Sequence, residues 1–239
     1  MQLRPGSRRP AYAGEATEVP GGRTWLIDRA LRLASRASER PYLAIGGLFL
    51  ANLLLIGVFV AAGEVVFADP AEPFRELMPG TWLSVAQLAF VAVIAWAIHR
   101  ALIGARRLRL DNLWGASVAV FIVLAIDEAT QLTIFASDAL HSLGFLAPAG
   151  FKDLDAFLLT AVLLAAGAVL LRYGRALLAY PAALVPLAIG VALGTASQVL
   201  DSTLAVSTWE FVAEESLKLA AEPFLIGTYL IVLHRVTRR

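Results

Sequence analysis

The sequence contains no cysteine. That excludes disulfides, thiolate metal ligands and a cysteine nucleophile. Histidine is scarce, with 3 in 239 residues, and lysine occurs only at positions 152 and 218. Charged residues make up only 16% of the chain, against about 25% in ordinary soluble domains. No G-x-S-x-G elbow, Walker loop or G-x-G-x-x-G segment occurs, so the common hydrolase, nucleotide-triphosphate and dinucleotide signatures are all missing. No polar stretch is long enough to form a separate soluble domain.

What fills the chain instead is apolar: 59% of residues are hydrophobic. They fall into runs of roughly twenty, the length that crosses a bilayer core. Six spans are expected, near 42–62, 81–100, 112–135, 156–172, 177–200 and 209–233. The predicted fold class is therefore all-α, a polytopic membrane bundle of six transmembrane helices occupying residues 41–239. Residues 1–23 are rich in Arg, Pro and Gly without apolar periodicity, and read as a disordered cytoplasmic tail. Residues 24–40 read as a basic amphipathic helix. Arg29, Arg32, Arg36 and Arg40 share one sector, beside a face of Leu26, Ile27, Ala30, Leu31, Leu33, Ala34 and Ala37. Such a helix lies in the membrane interface; the alternative is a helix packed on cytoplasmic loops.

Charge distribution sets the expected orientation. With the N-terminus inside, the inside segments are the tail, the 100–111 loop, the 172–175 turn and the C-terminus. They hold 17 of the 20 basic residues, leaving only Arg75, Lys152 and Lys218. This bias predicts that both termini are cytoplasmic. The same bias accounts for the arginine-rich tail as a membrane anchor, so no nucleic-acid partner is expected. Arg in place of Lys, with abundant Ala and Leu, points to a bacterial protein from a GC-rich genome, located in the inner membrane.

Ionisable residues inside the spans carry the functional reading, because burying them in hydrocarbon is costly. The last span holds Glu214, Glu215, Lys218 and Glu222; the third holds Asp127, Glu128 and Gln131. Counting from the expected span ends, Asp127 and Glu128 lie roughly 10–12 Å below the outer surface, and Glu214 to Lys218 roughly 8–14 Å. The two clusters thus share a level, with Gln87 and Gln198 in the same outer half and Glu64, Asp201 and Glu210 at the rim. The opposite halves of the helices are apolar, with Asn52 an isolated polar residue. This predicts an outward-facing acidic pocket above an apolar floor. Glu214, Lys218 and Glu222 fall on one helical stripe at i,i+4 spacing. Asp127, Gln131, Asp138 and His141 form another if the third helix continues past the membrane. Lys218 can pair within its own helix or reach Asp127 or Glu128. Pro223 is expected to kink the last helix and free a carbonyl that helps to satisfy the pocket.

Five carboxyls, at 127, 128, 214, 215 and 222, face one lysine. A proton, a metal ion or a basic ligand group would restore the balance. His99 and His234 precede arginines at cytoplasmic ends and read as interfacial, which leaves His141 alone on the pocket side. A His-rich zinc centre does not fit. A divalent cation of the Mg²⁺, Ca²⁺ or Mn²⁺ type would use Asp127, Glu128, Glu214, Glu215 and His141. Gly190 and Gly194 form a small-xxx-small face that predicts close helix packing.

Two resemblances arise at these residues. Glu214-Glu215-x-x-Lys218 resembles the EExxK motif of PrsW-type intramembrane proteases. In that family further helices with a second acidic motif and a histidine follow, whereas here the motif lies in the final span. The chain also resembles a set of bacterial six-helix membrane proteins with an Asp-Glu pair in helix three and a Glu-Glu pair in the last helix. Asp127-Glu128 and Glu214-Glu215 match those pairs. The His-Glu that often follows the first pair is replaced by Thr133, Ile134 and Phe135, so a ligand it supplies in relatives would here be lost or moved to His141. The resemblance implies a six-helix fold and brings no activity with it.

The leading expectation is a membrane protein whose pocket binds or moves a proton, a cation or a cationic group. Asp127, Glu128, Glu214 and Glu215 would be the acceptors, Lys218 would set their charge balance, Gln131 and Gln198 would orient them, and Glu222 would complete the pocket. Two alternatives stay open. One is an intramembrane enzyme with paired carboxylates as general acid and base, with or without a metal. The other is a structural or assembly protein whose charges fix helix register.

Overall fold

A computed structural model of the chain describes residues 24–75, 77–104, 111–148, 154–203 and 207–238. The expected tail at 1–23, most of the basic loop after Arg100 and Lys152 lie outside the described residues. The described residues form eight α-helices: α1 (Thr24–Ser38), α2 (Pro41–Ala62), α3 (Pro79–Gly104), α4 (Asp111–Thr130), α5 (Leu132–Ser142), α6 (Leu154–Tyr173), α7 (Pro181–Thr203) and α8 (Thr208–Thr237). No strand occurs among them. Six of these elements, α2, α3, α4, α6, α7 and α8, are long and apolar enough to cross a membrane. The architecture is that of a multi-pass, all-α membrane protein.

Local sequence explains most of the boundaries. Pro41 and Pro181 open α2 and α7, where the missing N–H costs nothing. Ser207 and Glu210 form a reciprocal capping box at the start of α8. The Ser207 amide donates to Glu210 Oε2 at 2.9 Å, and the Glu210 amide donates to Ser207 Oγ at 3.3 Å. That S-x-x-E spacing is a readable helix-start signal.

Two expected spans need correction. The third, expected to run to 135, stops at Thr130, where Gln131 takes a left-handed conformation with φ 55°. The chain then restarts as the separate helix α5, so the continuous stripe from Asp127 to His141 does not form. The fifth, expected from 177, begins at Pro181; residues before it belong to the 3-10 turn Gly174–Ala179. Proline both lacks the amide and restricts the residue before it, which sets that boundary.

The last helix is the hub. In α8, 72% of the most apolar window is buried, against 11% in α2 and in α6. It packs on α7, α3, α2 and α1. Leu230 and Val232 of α8 are fully buried against Ile94, Ile98 and Leu102 of α3. Backbone approaches closely where glycine permits it. A methyl group at Gly227 would overlap the Ile45 side chain of α2, and one at Gly190 would press on Leu225 at 3.0 Å. Gly194 has open space in front of it, so only one half of the expected small-residue face is used for packing. The first helix lies against α3 and α8. Ala34 and Ser38 are buried there, while Arg29, Arg32, Arg36 and Arg40 stay exposed.

Asn52 and Pro223 explain each other. Proline at 223 removes the N–H that would bond the carbonyl of Leu219. Asn52 Nδ2 donates to that carbonyl at 2.6 Å. Asn52 and Gln87 in turn exchange amide hydrogen bonds at 3.2 and 3.1 Å. Asn52 is therefore not isolated, and the freed carbonyl serves the α2–α3–α8 junction rather than the acidic pocket. In a membrane interior such a carbonyl has no water to turn to.

Replacing Asn52 by Leu leaves the Leu219 carbonyl and the Gln87 amide unpartnered, and should destabilise the protein by about 1–3 kcal/mol per orphaned group. Adding Pro223→Ala restores a donor within the helix and should recover part of that loss. Thermal unfolding of the purified single and double variants in detergent checks this; a double variant no more stable than Asn52→Leu would refute the pairing.

Candidate functional site

The acidic residues converge at one end of the bundle, opposite the arginine-rich end. There the ends of α4 and α7, the starts of α3, α6 and α8, and α5 enclose a basin of about 1050 Å³. Among the described residues, nine carboxyl residues and two cations, Arg75 and Lys218, line it. Asp127, Glu128, Gln131, Glu214, Glu215 and Lys218 all contribute, together with Asp138, Asp155, Asp201, Glu72 and Glu210.

Lys218 sits between two helices' worth of charge. Its Nζ lies 2.7 Å from Glu215 Oε1 and 3.0 Å from Glu128 Oε1. The side chains of Glu215 and Glu128 are 8% and 15% exposed, and that of Lys218 is 30% exposed. The within-helix partner is thus Glu215, three residues back, and not the expected i,i+4 neighbours. The cross-bundle partner is Glu128 of α4.

Asp127, the residue beside Glu128, has a second task. Its Oδ1 accepts the Thr133 amide at 2.7 Å and its Oδ2 accepts the Thr133 hydroxyl at 3.1 Å. A carboxylate is thereby held against the free amides at the N-terminus of α5, where negative charge is favoured. With α4 ending at Thr130, Asp127 lies three residues, roughly 5 Å along the axis, from its helix end rather than 10–12 Å. The break that α5 requires and the carboxylate that caps it belong to one local device.

Glu222 departs from the expected stripe. It is buried, and its Oε1 accepts the Ser84 hydroxyl of α3 at 2.5 Å. Its other oxygen, Oε2, has no hydrogen-bond partner among the described residues. Gln198 donates to Asp201 Oδ2 at 3.4 Å near the end of α7. His141 is exposed on α5 and outside the basin lining. Gln87 bonds Asn52 and Glu64 is exposed, and neither lines the basin. Among the described residues, no three His, Asp or Glu side chains stand close enough together to hold a metal ion.

The floor of the basin is open. Beneath it a second cavity of about 380 Å³ runs between α4, α6, α7 and α8. It shares Asp127, Glu128, Glu214 and Lys218 with the basin, and its remaining lining is mostly Leu, Val and aromatic side chains. Toward the arginine-rich end it is closed by Trp114 and Phe121 of α4, both packed edge-on against Tyr229 of α8 at ring-centroid distances of 5.5 Å. The Trp114 indole N–H is buried there without a hydrogen-bond partner among the described residues. The solid apolar floor expected from sequence is therefore a cleft.

At the rim, the segment between α2 and α3 is tied by Asp69. Its Oδ1 accepts the Ala71 amide at 3.0 Å, and its Oδ2 pairs with Arg75 at 2.8 Å. The Ala71 hydrogen bond chiefly holds its pKa below the ordinary value, with the Arg75 guanidinium adding to the effect.

No protein-family model matches the chain, and no similar curated protein or solved structure was found.

Two outcomes follow from this geometry. Lys218→Met leaves the Glu128 and Glu215 carboxylates without their cation. It should cost about 3 kcal/mol, the low end for breaking a buried pair, because Lys218 retains some exposure. Glu215→Gln on top of it should restore part of that stability, and equal melting temperatures for Lys218→Met and wild type would contradict the assignment. For Asp69, a lowered folded pKa means stabilisation that is present above the ordinary value of 3.8 and lost as pH falls through the folded value. The protection factor of the Ala71 amide, its exchange relative to the intrinsic rate at each pH, should fall on that acidification in wild type. In Asp69→Asn it should show no such step.

Proposed function

We propose that this protein is an integral membrane protein that binds, or moves, a small cation or cationic group in the acidic basin. One observation carries the reading: among the described residues the basin is lined by nine carboxyl residues and two cations, and Lys218 is already committed to Glu128 and Glu215. Desolvated carboxylates raise one another's energy unless a cation or proton joins them. Asp127 and Glu214 reach the junction of basin and cleft; Glu214 is the acceptor for an incoming cation, and Asp127, whose oxygens hold Thr133, adds negative charge beside it. Glu222 lies one turn deeper as a further acceptor. Lys218 sets the charge balance, and Gln131 and Gln198 flank the site.

The arginine distribution supports cytoplasmic termini, and with them a basin that faces outward. Composition supports a bacterial inner-membrane protein. On that orientation a ligand reaches the basin from outside or from the outer leaflet.

The test is cation-dependent stabilisation of the purified protein in nanodiscs. A ligand that binds only the folded state stabilises it by RT ln(1 + [L]/Kd), so the melting temperature rises with the logarithm of concentration once Kd is exceeded. Na⁺, K⁺, Ca²⁺ and tetramethylammonium should be titrated at constant ionic strength. At least one should stabilise wild type in this way, and Glu214→Gln should move the onset to about tenfold higher concentration, equivalent to ~1.4 kcal/mol. If no cation raises the melting temperature, or if wild type and Glu214→Gln respond alike, the reading fails.

A further inference from the structure

We infer that the site takes a cationic amphiphile, with its head group in the acidic basin and its single alkyl chain in the cleft between α4, α6, α7 and α8. This rests on the cationic-group reading above and names the class of ligand.

The cleft itself asks for an occupant. Voids much larger than a water molecule are few in close-packed protein interiors, yet this one measures about 380 Å³. Its walls are mostly Leu, Val and aromatic side chains, with Ser117, Thr195, Ser197, Gln198 and Thr228 among them, and a mainly apolar space of this size accepts an apolar guest. It is also elongated. Lys218 at its mouth and Tyr229 at its closed end are eleven residues apart on α8, a depth of about 16 Å. That is half of a ~30 Å hydrocarbon core, the reach of one extended lipid tail.

The head is set by the mouth. Cleft and basin meet at Asp127, Glu128, Glu214 and Lys218, where negative groups outnumber positive ones. An anionic head would meet the basin's acidic lining; a positive head meets complementary charge. The second, independent mark lies inside the cleft. Glu222 is 2% exposed and lines the cleft, with Oε2 unpartnered while Oε1 holds Ser84. A buried carboxyl oxygen without a donor is costly, and an ammonium at the mouth stands about one helical turn away from it. Entry has a route: α6 makes few close approaches to α4 and α7, and its outer face is exposed along its length, with Leu164 69% and Leu171 86% exposed.

Two glycines make the cleft separately testable. Gly167 of α6 and Gly194 of α7 line it, and a Cβ at either meets nothing within 4 Å. A Cβ at Gly194 meets open space, so Gly194→Leu directs its side chain into the cleft and replaces a poor helix former by a good one. The protein should therefore fold as well as wild type.

The probe is dodecyltrimethylammonium carrying bromine at the chain terminus, titrated into the full-length protein in nanodiscs. Bromine quenches tryptophan at contact, so Trp114 reports a tail that reaches the closed end. Wild type should show saturable quenching that Trp114→Phe removes. Gly194→Leu should bind at least tenfold more weakly while melting no lower than wild type. Tetramethylammonium, which has the head and no tail, should compete only at far higher concentration, and the uncharged brominated alcohol of equal chain length should bind at least tenfold more weakly. Tetramethylammonium binding as tightly as the long-chain cation would overturn this inference and leave the cationic-group reading standing. Equal binding of the alcohol would overturn the cationic head. Unchanged binding in Gly194→Leu would overturn the placement of the tail. Absence of binding by either cation would overturn both readings.

Discussion

The ion pair between Lys218 and Glu128 fixes the relation of α4 to α8, and the rest of the site depends on that relation. These two helices do not pack closely along their length. They are joined near the basin by Lys218 Nζ, 3.0 Å from Glu128 Oε1, and near the arginine-rich end by Tyr229 against Phe121 and Trp114. The cleft lies between those two ties. A buried ion pair contributes little net stability compared with an apolar pair of similar volume, because desolvation offsets the attraction. Its effect here is geometric: it sets the height of α4 against α8, and so where basin and cleft meet.

The remaining polar atoms on α8 obey the same constraint, since nothing in a hydrocarbon interior repairs a missing hydrogen bond. The carbonyl freed by Pro223 takes its donor from Asn52 on α2, and Asn52 is steadied by Gln87 on α3. Glu222 takes Ser84 from α3 on one oxygen. Thus α2 and α3 satisfy one flank of α8, and close packing at Gly227 against Ile45 seals that flank. The opposite flank, toward α4 and α6, carries the ion pair, the free Glu222 oxygen and the cleft. The hub helix is saturated on one side and open on the other.

That division was only half visible beforehand. Apolar run length gave all six spanning helices, because hydrocarbon thickness leaves little freedom in length. The charges on the third and last spans were also readable, because ionisable residues stand out in apolar sequence. Pairings were not. Helical periodicity favoured Glu214–Lys218–Glu222, but Lys218 turns to Glu215, where Glu128 can join it. Asn52 looked isolated, and Ser84 drew no attention, because their partners lie 167 and 138 positions away. The break at Gln131 left no proline or glycine to mark it; its only trace was Asp127 ahead of Thr133, an acceptor placed to cap a new helix. The S-x-x-E spacing at Ser207 is a helix-start signal that the expected boundary at 209 did not use.

The structural duties of Asp127 and Lys218 sharpen the functional argument. Asp127 spends both carboxyl oxygens on Thr133, and Lys218 spends its charge on Glu128 and Glu215. Had the acidic cluster existed only to hold helices together, the lysine would balance it and the deeper carboxyl would be fully bonded. Instead the basin keeps a large excess of carboxyl groups, and Glu222 keeps one oxygen bare beside an apolar space. Register alone requires neither feature. A ligand that brings positive charge to the mouth and apolar surface to the cleft answers both at once, because Asp127, Glu128, Leu159, Glu214 and Lys218 border both cavities. Charge neutralisation at the mouth and filling of the cleft then become one coupled event, in which a head without a tail, or a tail without a head, leaves half of the cost in place.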